Sequence, residues 1–338
     1  MTSNNPPISN DVIQVLDAAS VRELSPMKEL VCAMEYGFQH PPTAPPRLHY
    51  DLVGSAPGAS IMLVMPCWEE GGFFGLKNVS VVPGNAARGL PTVSGLYQLF
   101  DAATGQLLAL MDAPELTARR TAAASALASR FLSRQNAKRM VMAGTGKLAP
   151  YLIEAHGCVR DLDEVLVWGR RPEKVTETIK AVQGIVPAVA GAIRAASCLE
   201  TAVRQADIVS TATTAQSPFI KGDWLRLGVH LDLVGAYTPN MCEADAKAVG
   251  RANVFVDTYE GAQKEAGDIL QAIQVGEITH KDIQADLATL ATGQHEGRED
   301  EGAITLFKSV GTSIEDFTAA KLVFTNGRNS KNDTFQKS

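Results

Sequence analysis

The sequence predicts an α/β protein in which a doubly wound parallel sheet is joined to a second, discontinuous α+β domain. From residue 137 onward, apolar strand-like runs alternate with helical segments, a rhythm that requires crossover connections and a parallel sheet. Before residue 116, short strand-like runs follow one another with brief turns, which indicates an antiparallel or mixed sheet. The length of 338 residues also exceeds what a single hydrophobic core usually supports.

The first region contains a predicted helix near residues 26–38 and five predicted strands. The strands have the sequences RLHYDLV, SIMLVMPCW, GFFGLKNVSVV, SGLYQLFDA and QLLALMDA. The last two are separated by Ala-Thr-Gly, a glycine-containing connection of hairpin length. An alanine-rich helix over 116–134 then leads out of this sheet.

The second region predicts strands and helices in turn. Its strands have the sequences AKRMVMAG, DEVLVWGR, ADIVSTAT, VHLDLVGAY and NVFVDTY, and its first helices are GKLAPYLIEAHG and PEKVTETIKAVQ. After about residue 305 we expect one long amphipathic helix that packs on the first domain. The predicted domains are therefore 1–120 plus 306–338, and 121–305. The polar ends, 1–10 and 326–338, are expected to fray.

Composition excludes several classes of partner. The formal charge of -6 argues against nucleic acid and against an anionic membrane, because both favour a concentrated basic surface. No apolar run is long enough to span a bilayer, and the first residues do not resemble a signal peptide. The five cysteines lack the spacing of a zinc site or a disulfide framework. We expect a cytoplasmic protein that binds a small molecule, without a metal.

A glycine turn follows the first strand of the second region. Gly144-Thr145-Gly146-Lys147-Leu148-Ala149 matches G-x-G-x-x-A, the fingerprint of a Rossmann dinucleotide site. Because the turn opens a helix, its N–H groups and the helix N-terminus can face a pyrophosphate. The alternative is a tight strand-to-helix turn without a ligand.

The end of the second strand favours one nicotinamide cofactor over the other. An NAD site usually has a carboxylate there for the ribose hydroxyls, but this chain has Trp168-Gly169-Arg170-Arg171. Two guanidinium groups suit a 2′-phosphate, so NADP(H) is expected to be preferred, with NAD(H) possible. Alternatively, one arginine stacks on adenine or lies in solvent.

Several short segments recur in a recognisable order along most of the chain. They are Pro46-Arg47, Gly75-Leu-Lys77, Leu116-Thr-Ala-Arg-Arg120-Thr121-Ala-Ala-Ala-Ser125, the glycine turn, Ala206-Asp207-Ile-Val-Ser-Thr-Ala-Thr213, Val234-Gly235-Ala236, Glu265-Ala-Gly-Asp268 and Lys308-Ser-Val-Gly311. Each is unspecific alone, but their order and spacing resemble the ornithine cyclodeaminase/mu-crystallin family.

The resemblance implies roles for individual residues and a homodimer formed through the first domain. Arg47 and Arg120 would hold the carboxylate of an imino or amino acid, a group that a guanidinium fork suits. Lys77 would lie beside the reacting carbon, contact the substrate and donate a proton or a hydrogen bond. The residues implied to contact the cofactor are Arg120, Thr121, Gly144, Thr145, Gly146, Lys147, Leu148, Arg170, Arg171, Thr211, Ala212 and Thr213.

Simpler interpretations stay open for some of these residues. Arg47 could form a surface ion pair. Arg119 and Arg120 point about 100° apart on a helix, so only one of them can face a cleft. Lys77 is costly to bury between apolar runs without a partner, and a bound carboxylate would supply one.

Three further residues have no assigned function at this stage. Asp232 is either catalytic or a buried structural residue. His49 and His230 are solitary and are expected to be structural.

The chain departs from the family in one place. Ornithine cyclodeaminases have an aspartate after the Val-Gly-Gly of the fourth Rossmann strand, whereas here Tyr237 follows Val234-Gly235-Ala236. A neutral tyrosine cannot replace an ionised base, so cyclodeamination is disfavoured. The pattern is more similar to the branch that reduces Δ1-pyrroline-2-carboxylate or Δ1-piperideine-2-carboxylate to L-proline or L-pipecolate.

The alternatives are an alanine-dehydrogenase-like or N-alkyl amino acid dehydrogenase, an ornithine cyclodeaminase, and a non-enzymatic NADPH-binding protein similar to mu-crystallin.

Overall fold

The computed structural model describes residues 13–52, 60–186 and 191–335. It divides into two compact units, each with its own sheet, which confirms the predicted fold class. The first unit contains residues 1–26, 41–117 and 313–338, and the second contains 27–40 and 118–312. The polar segment 1–10 lies outside the described residues.

The described part of the first unit has a six-stranded mixed sheet. In spatial order the strands are β1, β6, β5, β4, β3 and β2, with β1 parallel to β6 and the other neighbours antiparallel. Their bounds are β1 (Gln14–Leu16), β2 (Leu48–Asp51), β3 (Ile61–Trp68), β4 (Phe73–Val81), β5 (Val93–Asp101) and β6 (Leu107–Asp112). The five strands predicted before residue 116 are confirmed as β2 to β6.

One face of this sheet is buried and the other is more exposed. Alternate residues of β3, β4 and β5 are buried, as the two-residue period of a strand requires. The C-terminal helix, α11 (Ser313–Phe335), packs on these three strands. It continues to Phe335, through most of the polar segment 326–338 that was expected to fray, and residues 336–338 lie outside the described residues. Asn326 donates a hydrogen bond to the Leu24 carbonyl, which holds this part of the helix in place.

The second unit has a parallel sheet of eight strands among its described residues. Their spatial order is β13, β12, β14, β11, β10, β7, β8 and β9. The bounds are β7 (Arg139–Ala143), β8 (Glu164–Trp168), β9 (Ile193–Ala195), β10 (Ile208–Thr211), β11 (His230–Leu233), β12 (Asn253–Val256), β13 (Ile283–Asp286) and β14 (Thr305–Lys308). Strands β10, β11 and β14 are buried throughout, as expected for strands covered on both faces.

Helices connect and cover these strands. The first unit contains α1 (Ala18–Glu23) and α11. Helix α3 (Ala113–Leu132) has its first residues in the first unit and the rest in the second. The other α-helices are α2 (Met27–Gln39), α4 (Ala149–Val159), α5 (Pro172–Ile185), α6 (Leu199–Gln205), α7 (Ala246–Gly250), α8 (Tyr259–Glu265), α9 (Gly267–Gln274) and α10 (Leu287–Ala291). Short 3-10 helices lie at Pro83–Arg88, Gly222–Trp224 and His280–Asp282. In the described ranges, none of the helices is apolar over a length that would cross a bilayer.

The prediction of one long helix from about residue 305 is wrong in its first part. Residues 305–308 form β14, which lies between β11 and β12 in the second sheet. Gly311 has a φ of +82°, a left-handed conformation that interrupts a helix, and α11 begins only at Ser313. A short apolar run that is buried on both faces has no periodicity to separate it from a helix. Residues 306–312 therefore belong to the second unit, together with α2.

Candidate functional site

The glycine turn joins β7 to α4 at the carboxyl end of the parallel sheet. Gly144 has a φ of +140°, and its N–H donates to the Trp168 carbonyl at 2.9 Å. A Cβ at this position would lie 2.7 Å from the Ala212 carbonyl oxygen, so a side chain cannot be accommodated. A Cβ at Gly146 would have no neighbour closer than 3.9 Å. The turn is therefore closed on the side of β10 and open at Gly146.

The N-terminus of α4 lacks a side-chain cap. Leu148 occupies the N-cap position and makes no capping hydrogen bond, and Pro150 lies in the first turn, where its missing N–H is tolerated. An anion placed at such a helix end is stabilised by backbone N–H groups and by the helix dipole. Together with the close approach allowed at Gly146, this end of α4 fits a dinucleotide pyrophosphate.

The position of the turn in the sheet also suits a nucleotide. Strand β7 lies between β8 and β10, so the connections from β7 and β10 leave toward opposite sides of the sheet. Ligands of doubly wound sheets bind at this switch point, beyond the carboxyl ends of the strands. The structure brings Gly144 together with Ala212 and Thr213, since a Cβ at Gly144 would lie 3.3 Å from Cγ2 of Thr213.

Arg170 and Arg171 directly follow β8, at the same end of the sheet. Both are exposed, and Arg171 is the N-cap residue of α5. Gly169 before them packs against Thr145, because a Cβ there would lie 2.6 Å from Cγ2 of Thr145. The two guanidinium groups thus start from a backbone segment that contacts the glycine turn.

Arg119 and Arg120 diverge, as the helical geometry requires. Arg119 is ion-paired with Glu154 of α4, with a shortest nitrogen–oxygen distance of 3.4 Å. Arg120 is buried, and its guanidinium lies over Gly311, where a Cβ would be 2.5 Å from Nη1. Thr121 is buried next to it. Arg120 therefore contacts the Gly311 turn, whereas Arg119 pairs with a residue of α4.

Asp257 builds the turn that receives Arg120. Its carboxylate accepts hydrogen bonds from the backbone N–H groups of Val310 at 2.7 Å and Gly311 at 2.6 Å. These bonds hold the segment after β14 to the end of β12. Asp257 was not among the residues predicted from the sequence.

A second buried carboxylate, Glu243, joins the ends of β10 and β11. It accepts hydrogen bonds from the N–H of Thr213 at 2.7 Å, the hydroxyl of Thr213 at 2.8 Å and the N–H of Gly235 at 2.7 Å. Burial raises the pKa of Glu243, Lys308 opposes this change, and Asp268 adds to it. A side chain at Gly235 would overlap the backbone of Thr213, so this close approach explains the glycine.

Asp268 and Lys308 form a buried ion pair beside Glu243. The distance from Nζ of Lys308 to Oδ2 of Asp268 is 3.0 Å, and both side chains are fully buried. Asp268 also accepts hydrogen bonds from the N–H groups of Glu243 at 2.6 Å and Ala244 at 2.9 Å. We call Glu243, Asp268 and Lys308 the strand-end cluster, because they fix the segments that follow β10 and β11.

Asp232 is buried in the core of the second unit. It accepts hydrogen bonds from the hydroxyls of Ser125 at 2.9 Å and Ser210 at 2.6 Å, and it lies 3.1 Å from Nε2 of His156. Burial would raise the pKa of Asp232, but these partners outweigh it and the pKa is lowered. Of the two open interpretations, this environment favours the structural one.

His230 is also buried in the core of the second unit. Its Nδ1 lies 3.0 Å from the Thr305 hydroxyl, and burial lowers its pKa to about 3.

In the first unit, Lys77 is on the buried face of β4. Its Nζ lies 2.6 Å from Oδ2 of Asp316 in the first turn of α11, and the two side chains are 4% and 0% exposed. From the sequence, a substrate carboxylate was predicted to compensate the buried amine. The structure supplies an internal partner instead, so burial alone does not require Lys77 to bind substrate.

Tyr97 and Cys67 complete the buried face around Lys77. Tyr97 is paired with Lys77 across β5 and β4, and Cys67 is opposite Gly75 across β3 and β4. A Cβ at Gly75 would overlap the Tyr97 hydroxyl, which accounts for glycine in the Gly75-Leu-Lys77 motif. Burial raises the pKa of Tyr97 well above its ordinary value and that of Cys67 to about 12, with Asp316 adding to both. Both groups are therefore neutral at physiological pH.

Arg47 directly precedes the edge strand β2 and is partly exposed. Leu48 pairs with Val64, which pairs with Asn78, so Arg47 begins the row that continues through Met65 to Lys77. Two strand spacings separate the two ends of this row, which is roughly 10 Å. Arg47 and Lys77 thus lie on one row across the sheet of the first unit, with β3 between them.

Asp316 was not predicted from the sequence, although the sequence contains a signal for it. Ser313, Phe317, Ala320 and Phe324 form the buried face of α11, and Asp316 occupies a position on that same face. A carboxylate on an apolar helix face, in a chain with a lysine inside an apolar strand, indicates a buried pair.

A family model agrees with this arrangement of segments. Residues 11–331 match the ornithine cyclodeaminase/mu-crystallin family. A curated relative, the Δ1-pyrroline-2-carboxylate reductase of Paracoccus denitrificans, is 38% identical over 268 residues, which cover 79% of this chain and 84% of the relative.

Two solved structures have the same fold over nearly the full length. The Δ1-pyrroline-2-carboxylate reductase of Thermococcus litoralis, solved with NADH and L-proline, has a TM-score of 0.88 at 32% identity and covers 94% of this chain and 98% of its own. An archaeal alanine dehydrogenase dimer with bound NAD has a TM-score of 0.85 at 30% identity, with coverages of 94% and 97%. The resemblance drawn from the motifs is confirmed: the chain belongs to the ornithine cyclodeaminase/mu-crystallin family.

Proposed function

We propose that this protein reduces a cyclic ketimine carboxylate with NAD(P)H, converting Δ1-pyrroline-2-carboxylate or Δ1-piperideine-2-carboxylate to L-proline or L-pipecolate. The class of enzyme is an oxidoreductase that acts on C=N bonds, in keeping with the relatives that are Δ1-pyrroline-2-carboxylate reductases. The observation that carries the proposal is the buried, ion-paired amine of Lys77 within the Gly75-Leu-Lys77 motif.

The cofactor we propose is NADP(H), with NAD(H) as the alternative. Gly144, Gly146 and the uncapped N-terminus of α4 would hold the pyrophosphate, with Thr145, Lys147 and Leu148 in the same turn. Arg170 and Arg171 would bind a 2′-phosphate, through charge-assisted hydrogen bonds of about 1.5–3 kcal/mol each. Thr121, Thr211, Ala212 and Thr213 would complete the contacts. Comparing KM for NADPH and NADH tests this preference, and a clear preference for NADH would contradict it.

The proposed roles in the reaction follow from the charges of the side chains. A bound nicotinamide supplies the hydride that the C=N carbon accepts. Arg47 and Arg120 would bind the substrate carboxylate, since each presents a planar guanidinium. Lys77 would donate a proton to the ring nitrogen, so that the C=N double bond becomes a C–N single bond with one new C–H and one new N–H. The lysine amine then regains its proton from water.

Cyclodeamination remains disfavoured in this proposal. Tyr237 occupies the position after Val234-Gly235-Ala236 where a cyclodeaminase has its aspartate, and its side chain is 40% exposed. An exposed phenol lacks the ionised carboxylate that proton removal from a substrate amino group requires.

We also propose a homodimer that forms through the first unit. The sheet face opposite α11 exposes Leu96 at 47% and Trp68 at 40%, and Phe74 and Phe100 stack on it at 4.4 Å between ring centroids. Strand β2 is an exposed edge with Leu48 and Tyr50 accessible. Exposed apolar surface next to an open strand edge is typical of a protein–protein interface. Sedimentation equilibrium should give twice the mass of one chain.

A substrate panel tests the proposed function. We expect oxidation of NADPH, followed at about 340 nm, with the five- or six-membered cyclic ketimine and none with pyruvate plus ammonia. Reduction of pyruvate with ammonia or methylamine would instead assign an alanine-dehydrogenase-like or N-alkyl amino acid dehydrogenase. Ammonia release from ornithine would assign cyclodeamination, and tight NADPH binding without any turnover would assign a binding protein.

A further inference from the structure

We propose that Asp316, in the first turn of α11, is the positioning residue that holds the Lys77 amine in its charged form and fixes its direction. This inference rests on the proposed function, in which Lys77 donates the proton. It assigns a role in the reaction to the C-terminal helix, which otherwise only covers the sheet.

The pair is a close ion contact that is shielded from solvent. Nζ of Lys77 lies 2.6 Å from Oδ2 of Asp316, and neither side chain has appreciable contact with solvent. A buried amine without a counter-charge releases its proton, because burial disfavours the charged form. A carboxylate at this distance has the opposite effect and keeps the amine protonated.

The position of Asp316 is fixed by its helix. Its neighbour Phe317 is buried on the same face of α11, and Ala320 is buried one turn further on. This packing leaves the carboxylate little freedom to move away from Lys77. A separate, partly exposed ion pair on the same helix joins Lys321 to Glu69 at the end of β3, with a nitrogen–oxygen distance of 2.5 Å.

Two other titratable groups on this face are neutral. From β3 the face contains Cys67, and from β5 it contains Tyr97, whose hydroxyl has no hydrogen-bond partner among the described residues. Both are neutral at physiological pH because burial raises their pKa values. Glu315, also buried, precedes Asp316 on α11. Among the ion pairs, Asp316 is the residue placed directly against Nζ.

The cations of the proposed site therefore have different roles. Because Asp316 already compensates the charge of Lys77, the pair adds little net attraction for a substrate carboxylate. Arg47 and Arg120 then bind the substrate carboxylate, and Lys77 donates the proton. During reduction one Nζ–H bond breaks and one N–H bond forms on the ring nitrogen. The neutral amine left beside Asp316 regains a proton from water, which the carboxylate favours.

The test compares Asp316→Asn with a control, Glu69→Gln, which removes the charge from the partner of Lys321 on the same helix. Asn keeps the size of the side chain and an oxygen acceptor but removes the charge. We expect kcat for the ketimine at pH 8 to fall by about tenfold or more, with KM changed by less than about threefold. The basic limb of the kcat profile should move to lower pH by about one unit or more. Glu69→Gln should leave both quantities unchanged.

A measurement without substrate keeps this inference separate from the proposed function. In protein labelled with 13C-lysine, the Lys77 signal, assigned by its loss in Lys77→Met, should stay that of a protonated amine from pH 6 to 9. In Asp316→Asn it should titrate within that range. An unchanged Lys77 titration and pH profile in Asp316→Asn would overturn the inference. If Asp316→Asn fails to fold, a Lys77 amine that loses its proton below pH 8 in the parent protein would also overturn it.

Discussion

Each unit of this protein contains a buried lysine–aspartate pair, and the two pairs differ in what surrounds them. Lys308 and Asp268 are 3.0 Å apart in the second unit, and Asp268 also accepts two backbone hydrogen bonds from the segment after β11. Lys77 and Asp316 are 2.6 Å apart in the first unit and join the middle of a sheet to the C-terminal helix.

The comparison shows how similar chemistry serves different purposes. The strand-end cluster uses its charges to fix the backbone at the carboxyl ends of β10, β11 and β14, so its loss should affect the fold. The Lys77–Asp316 pair lies on a face with the neutral groups Tyr97 and Cys67. We propose that this pair keeps the Lys77 amine protonated for transfer to the substrate. Its loss should affect turnover more than cofactor binding.

Lys308→Met should have the largest effect on stability. Removing one partner of a buried pair leaves an uncompensated carboxylate, which typically lowers the free energy of unfolding by about 3–5 kcal/mol. Chemical denaturation of the variant measures this loss. The control is Lys264→Met, which removes an exposed ion pair with Glu260 in the same unit and should change stability by less than about 0.5 kcal/mol. Equal effects of the two variants would contradict the comparison.

Lys77→Met should have the largest effect on turnover. We expect a loss of about 100-fold or more while NADPH binding, measured by fluorescence titration, is retained. Because this variant also leaves Asp316 uncompensated, the double variant Lys77→Met/Asp316→Asn should recover stability without recovering turnover. Unchanged turnover in Lys77→Met would remove the lysine from the reaction.

Arg120→Lys and Arg119→Lys form a matched pair of adjacent substitutions. A lysine at position 120 keeps the charge but loses the fork that binds a carboxylate in two places. We expect KM for the ketimine to rise by about tenfold or more in Arg120→Lys. Arg119 is occupied with Glu154, so Arg119→Lys should leave KM nearly unchanged. Steady-state kinetics of the two variants decide this, and equal KM values would mean that Arg120 does not bind substrate.

The buried His230 should give the second unit a pH-dependent stability. Its folded pKa is about 3 and its ordinary value is 6.5, so between these values the unfolded chain binds a proton that the folded chain does not. Stability should therefore fall as pH decreases from 6.5 toward 3, by at most about 1.4 kcal/mol per pH unit from this group. Chemical denaturation at several pH values should show that the free energy of unfolding depends less on pH in His230→Asn than in the parent protein. A substitution of the exposed His280 should leave the pH dependence of the parent unchanged. A parent-like slope in His230→Asn would be inconsistent with this account.

Much of the fold could be predicted because local patterns agree with the final structure. The alternating strands of the first unit and the apolar strands after residue 137 are visible in the sequence, and so is the glycine turn. Strand β14 was missed because the Thr305–Lys308 run is too short to show a period and precedes a real helix. Its place between β11 and β12 depends on the whole sheet.

The candidate site could be predicted only in part, for a physical reason. Lys77, Arg47 and Arg120 are visible in the sequence as charged residues within apolar segments or family motifs. Their partners, Asp316 for Lys77 and the Asp257-bound turn for Arg120, come from distant parts of the chain that meet only after folding. A single sequence shows that a buried charge needs a partner without showing which residue supplies it.

The most direct test of the proposed function follows the cofactor and the product together. Purified protein should oxidise NADPH with Δ1-pyrroline-2-carboxylate and form L-proline in a ratio of about one to one, measured by absorbance and chiral chromatography. Lys77→Met, tested in parallel, should form about 100-fold less product or lower still. If the protein binds NADPH but oxidises it with neither the five-membered nor the six-membered ketimine, the account is contradicted.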